Sequence, residues 1–81
     1  MNINVVYFAR FREALGRDGE ALQGQFKTLD DVRQALLAKG DSHAFLAEQN
    51  LMCARNQDLC KLDEPLQDGD EVAFFPPVTG G

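Results

Sequence analysis

The 81-residue sequence has no long hydrophobic run; the longest near its start is the pentapeptide VVYFA. A membrane-spanning helix needs roughly 20 apolar residues, and a secretory signal also needs a longer run than this. Neither a span nor a signal is expected. Basic residues are scarce, with 8 Lys and Arg against 13 Asp and Glu, giving a net charge of −5. Affinity for a nucleic-acid backbone is built from clustered cations, so this balance argues against such a partner. It suits a chain drawn toward a basic protein surface. There are 2 cysteines, Cys53 and Cys60, with no second pair to complete a zinc site or a disulfide framework. Such sparse use of cysteine points to the cytoplasm. Both thiols fall in predicted strands among apolar neighbours and read as small buried hydrophobes.

Histidine is nearly absent. The single His43 has no nucleophile and carboxylate placed beside it by the sequence, so a catalytic triad is not indicated and His43 reads as a surface residue. No Gly-rich phosphate loop is present, so the chain alone is not expected to bind nucleotide. Internal repeats, linkers and low-complexity segments are missing too. The reading is one small domain, residues 1–81, with a modest core and little room for an internal catalytic cleft. No metal ligands and no resident cofactor are indicated.

What is present is a clear alternation of elements. INVVYFAR reads as a central strand, with Ile3, Val5 and Tyr7 on one face and Asn4, Val6 and Phe8 on the other. FREALG adds a helical turn stopped by Gly16. EALQGQF is a weaker strand, with Leu22 and Phe26 apolar and Gly24 at a bulge. TLDDVRQALLAKG is the main helix: Thr28 caps it, Asp31 answers three residues later, Leu29, Val32 and Leu36 form its apolar stripe, and Gly40 ends it. SHAFLAEQ predicts a short second helix capped by Ser42. LMCARN and LCKL predict two strands around an NQD turn, and Asp68-Gly69 turns the chain into a last strand over Glu71–Phe75. Asp63, Glu64, Asp68, Asp70 and Glu71 crowd this stretch, and turn chemistry with solubility explains them better than acid-base catalysis. Arg10, Arg12 and Arg17 read as a solvated basic edge. A mixed sheet wrapped on one main helix is the economical packing.

The ending FFPPVTGG gathers the stiffest and the barest residues. If Val72 and Phe74 face the helix, Phe75 faces out, as Phe8 does. Two outward phenylalanines on neighbouring strands predict an exposed apolar patch, the usual mark of a partner site. Pro76 and Pro77 lack amide donors and must stop the sheet. Val78, Thr79, Gly80 and Gly81 then taper. A Gly-Gly end has no Cβ to clash and can thread a narrow channel, presenting the Gly81 carboxylate unhindered. Gly-Gly alone would not displace the plainer reading of an inert end on an interaction domain; Gly-Gly behind a Pro-Pro brake favours a probe.

FFPPVTGG preceded by DGDEVA, together with YFAR, Arg12-Glu13 and Gly16 near the start, resembles the small, sulfur-carrying subunits of molybdopterin synthases. The similarity spans essentially the whole chain. The resemblance implies a ubiquitin-like β-grasp fold (α+β). It implies that an ATP-dependent adenylyltransferase activates the Gly81 carboxylate and that a persulfide donor converts it to a thiocarboxylate. It implies that the tail 76–81 enters a large catalytic subunit in a heterotetramer, delivering sulfur to cyclic pyranopterin monophosphate. Phe8, Leu59 and Phe75 would line the contact with that subunit. Arg55 departs from the family's apolar residue before the Asn, and residues 40–50 match poorly. Related carriers for thiamine synthesis or tRNA thiolation, and ubiquitin-like protein modifiers, share the Gly-Gly end; Phe-Phe-Pro-Pro favours the pterin pathway.

Overall fold

The computed structural model describes residues 1–48 and 50–76. In chain order the elements are β1 (Asn2–Tyr7), α1 (Ala9–Leu15), β2 (Gly19–Gln23), α2 (Leu29–Leu37), a 3-10 helix (Asp41–Ala47), β3 (Met52–Arg55), β4 (Asp58–Cys60) and β5 (Glu71–Phe75). The five strands form one sheet in the order β2-β1-β5-β3-β4. β1 and β5 run parallel at its centre, and the other pairings are antiparallel.

Alternation decides which face is covered. Ile3, Val5 and Tyr7 of β1 and Val72 and Phe74 of β5 are buried with Leu29, Val32 and Leu36 of α2 in one core. That is the β-grasp arrangement: a mixed sheet curled on a single helix. At the start of α2, Asp31 Oδ2 accepts from the backbone N–H groups of Thr28 (3.1 Å) and Lys27 (2.8 Å), so the carboxylate satisfies donors that the helix leaves free. α1 ends as the sequence predicts, on Gly16 in the left-handed region.

Several local expectations are corrected. β2 ends at Gln23, before Gly24 and Phe26; Gly24 sits in no bulge, its amide donating to the Met1 carbonyl at 3.1 Å. The glycine that matters is Gly19, where a Cβ would fall 2.2 Å from the Val5 carbonyl oxygen. α2 stops at Leu37 with Ala38 as its cap, and Gly40, at φ 113°, instead opens the next element. That element is a 3-10 helix, and Ser42 does not cap it: its hydroxyl hydrogen-bonds the His43 ring.

His43 itself is buried rather than at the surface, 6% exposed. Its Nε2 lies 2.9 Å from Glu20 Oε2, and Ser42 Oγ lies 2.9 Å from its Nδ1. A carboxylate only accepts, so Nε2 donates to Glu20, and Ser42 Oγ is the partner of Nδ1. Glu20 also accepts from the Tyr7 hydroxyl (2.8 Å) and from Lys39 Nζ (2.9 Å). One carboxylate thus ties together β2, β1, the 3-10 helix and the chain just past α2. Burial opposes the ionisation of Glu20, but hydrogen bonds from Lys39, His43 and Tyr7 outweigh it and hold its pKa down at about 2. Burial first, and then Glu20, push the Tyr7 hydroxyl upward.

Candidate functional site

Among the described residues, no helix lies on the second face of the sheet. Register places its residues in rows. Leu59 opposes Ala54, Ala54 opposes Ala73, and Ala73 opposes Val6. One step along, Met52 opposes Phe75. Phe8, the residue that follows β1 and precedes α1, brings its ring edge-on to Phe75 at 6.2 Å between centroids. The result is an apolar strip crossing four strands, with small alanines as its floor. Phe8 is 46% exposed and Leu59 67% exposed, the two large hydrophobic side chains most open to solvent among the described residues. Phe75 and Met52 are half-buried at its rim. An exposed apolar strip of this kind is a candidate protein-docking surface.

Local sequence explains how the strip is presented. Tyr7 and Phe8 are consecutive, as are Phe74 and Phe75, and period two sends one of each pair into the core and the other outward. Tyr7 and Phe74 are buried, 1% and 0% exposed. Ala9 then adopts φ 53°, a left-handed conformation at the junction where the chain turns from Phe8 into α1. β5 closes at Phe75, and Pro76, with no N–H to donate, stands outside the ladder. The chain therefore leaves the sheet from a central strand, beside Phe8 and Phe75. Of the predicted tail residues, Pro77, Val78, Thr79, Gly80 and Gly81 lie outside the described residues.

At the opposite end of β5 a polar hub holds the turns. Asp70, buried, accepts from Arg55 Nε (2.7 Å), Asn56 Nδ2 (3.0 Å) and the Gln67 amide (2.8 Å). Burial opposes its charge, but these donors, Arg55 foremost, win and lower its pKa. Asn56 and Gln57 take the left-handed turn between β3 and β4, at φ 50° and 74°. Asn56 also accepts from the Glu71 amide at 2.9 Å. Arg55, the residue that departs from the family pattern, is thus the counter-ion of Asp70. Asp70 is not one of a solubilising carboxylate run but a structural anchor. Sequence reasoning missed it because its side-chain partners Arg55 and Asn56 are 15 and 14 positions away.

Nothing else described competes as a reactive centre. Burial pushes the Cys53 thiol up to about 12 and raises that of Cys60 as well, so neither is an activated nucleophile. Arg10 pairs with Glu48, and Arg12 lies 3.8 Å from Asp18, so the basic edge is partly neutralised within the chain. Among the described residues no three His, Cys, Asp or Glu side chains are grouped to hold a metal ion. No helix among them is long and apolar enough to cross a membrane.

The sequence profile of the ThiS family matches residues 5–81. The molybdopterin synthase sulfur carrier subunit of Escherichia coli (strain K12) is 48% identical over 80 residues, covering 98% of this chain and 99% of that protein. Among solved structures, SAMP1 from Haloferax volcanii superposes with a TM-score of 0.78 at 26% identity, covering 100% of both chains. A chain in the protein-protein complex of subunits 1 and 2 of molybdopterin-converting factor from Helicobacter pylori 26695 shares the fold, with a TM-score of 0.68 at 24% identity and 100% coverage of both. A profile match from β1 through Gly81, a relative nearly half identical from end to end, and a shared β-grasp architecture make this chain a member of the ThiS family.

Proposed function

We propose that the chain is the sulfur-carrying small subunit of a molybdopterin synthase and that the carboxylate of Gly81 carries the sulfur. The observation that supports this most strongly is the reach of the family match to Gly81 itself, at the end of a chain that leaves the sheet beside an open apolar strip. The strip, with Phe8, Leu59 and Phe75, docks a large catalytic subunit. The tail 76–81 enters that subunit's active site, and two carriers serve a dimer of large subunits. The Helicobacter pylori complex of subunits 1 and 2 is a precedent for such a pairing.

The chemistry follows from the weakness of a carboxylate as an electrophile. An adenylyltransferase joins the Gly81 carboxylate to the α-phosphate of ATP and releases pyrophosphate. The acyl-adenylate has a good leaving group. The terminal sulfur of a persulfide attacks its carbonyl carbon and AMP departs. A thiol then cleaves the S–S bond, leaving the Gly81 thiocarboxylate. In the large subunit this sulfur passes to cyclic pyranopterin monophosphate, and a second charged carrier supplies the other sulfur of the dithiolene. The carrier supplies the sulfur and the fit, and the partner supplies acid-base groups. Gly80 and Gly81 suit the task because a Cβ in a close-walled channel would displace protein atoms.

Likeness in shape to SAMP1 favours one other reading, a protein modifier joined to lysines through the same activated carboxylate. Isopeptide conjugates in cells would mark that use. Intact mass spectrometry after incubation with ATP, the adenylyltransferase and a persulfide donor tests the carrier directly. The expected gain equals one oxygen exchanged for one sulfur, localised to Gly81, and it persists in a Cys53→Ala, Cys60→Ala double variant. A folded double variant that takes up no sulfur would overturn the proposal.

A further inference from the structure

We propose that Cys53 and Cys60 form a reversible cross-strand disulfide by exchange with a low-molecular-weight disulfide, fastening the edge strand β4 to β3. The two cysteines are direct partners in the antiparallel register of these strands. Opposed residues in such a pair have Cα atoms about 4.5–5.5 Å apart. A disulfide bridges Cα separations of about 4.4–6.8 Å. Register partners project to the same face of the sheet, here the covered one. The Cys53 thiol already lies against its neighbour, donating to the Cys60 carbonyl at 3.3 Å. Each thiol also perturbs the other's ionisation.

Access is built in on one side. Among the described residues β4 is at the edge of the sheet, with no strand beyond it. Cys60 is half-buried where Cys53 is buried. A cavity of about 300 Å³ borders both cysteines and is lined also by Leu51, Leu59 and Lys61. Exchange therefore starts at Cys60. Its thiol loses a proton, and the thiolate attacks one sulfur of the small disulfide. That S–S bond breaks, one small thiol leaves, and a mixed disulfide remains on Cys60. Cys53 then loses its proton and attacks Cys60 Sγ. The Cys53–Cys60 bond forms and the second small thiol leaves. Two protein thiols are oxidised, and one small disulfide is reduced to two thiols.

Burial raises both thiols, so thiolate is scarce near neutral pH and the exchange quickens as pH rises. The half-buried Cys60 leaves the bond within reach of small thiols, and exposed disulfides are the readily reduced ones. The pair is thus a switch rather than a permanent staple, as suits a reducing compartment. β4 also carries Leu59 on the open face. An effect on partner binding rests on the role proposed for Leu59; formation of the bond does not.

The test uses the full reduced chain and oxidised glutathione, from about pH 7 to about pH 9. The expected product has lost two hydrogens in intact mass and yields a digest peptide joining residues 53 and 60. Its formation quickens about tenfold per pH unit and reverses with dithiothreitol. Cys53→Ala should stop at a glutathione adduct on Cys60. Both thiols surviving in the folded chain, or a lasting glutathione adduct on the unaltered protein, would overturn the proposal. So would linkage that appears only in urea-unfolded chain.

Discussion

The two faces of the sheet are built from the same strands and serve opposite ends. Phe74 is fully buried against α2, while Phe75, its neighbour, stands half-buried on the open face. Tyr7 is locked into the Glu20 cluster, and Phe8, one residue on, is 46% exposed. The covered face spends its apolar side chains on stability. The open face keeps large ones where a monomer gains little from them, which is the cost a docking surface imposes. The difference teaches that packing into the core and exposure on the proposed docking face are separated at single adjacent residues.

The largest expected effect is on the covered face. Phe74→Ala should lower stability by about 3–5 kcal/mol, the usual cost of emptying a core phenylalanine site, read by thermal or denaturant unfolding. In a domain this small that change would come close to unfolding it. If Phe74→Ala were harmless and Phe75→Ala destabilising, the assignment of faces would be reversed.

Acid should attack the covered side next. Glu20 has a folded pKa of about 2 against an ordinary 4.5, so its contribution is fully present above the ordinary value and is lost as pH falls toward 2. Asp70, also depressed, acts in the same direction. The Glu20 contribution is on the order of 3 kcal/mol, and Glu20→Gln should flatten the acid limb of a stability-versus-pH curve. An unchanged acid limb in that variant would remove Glu20 from the account.

On the open face the readout changes. Phe75→Ala should leave the melting temperature nearly unchanged but weaken binding to the large subunit by about 2 kcal/mol, as loss of an aromatic hot-spot anchor does. Titration calorimetry with the purified partner checks it. Smallest in stability is Leu59→Ser, expected within about 0.5 kcal/mol of the parent, with a measurable loss of partner affinity. A Leu59→Ser chain that binds the partner normally would shrink the docking strip to Phe8 and Phe75.

Much of this was legible in the sequence because it is periodic or local. β1, α2 and β5, their inward residues, the Gly16 stop and the Asp68-Gly69 turn all follow from alternation, helical spacing and turn chemistry. So does the outward placement of Phe8 and Phe75. What escaped is polar and long-range. Glu20 meets His43 across 23 positions, and Asp70 meets Arg55 across 15, and no local pattern announces either pairing. His43 looked solvent-facing because a single histidine carries no periodic signal, and the carboxylate opposite Val5 in β2, with the Ser42 hydroxyl, makes its burial tolerable. The stretch after α2 defeated expectation for a related reason. Gly40 at φ 113° starts a 3-10 helix whose shape is set by packing of Leu46 and Phe45 on the core, not by its own propensity.

The central claim is that a fixed open face sets the reach of a reactive chain end. Dithiolene formation by synthase reconstituted from purified subunits, using a carrier extended by one residue past Gly81, tests it most directly. A displaced carboxylate overshoots the site, and small misplacements cost about 100-fold in rate. The account predicts that the extended carrier folds and melts like the parent, binds the large subunit through the same strip, and forms no product. Product at a near-parental rate would show that the chain end is not the reacting group, and the account would fall.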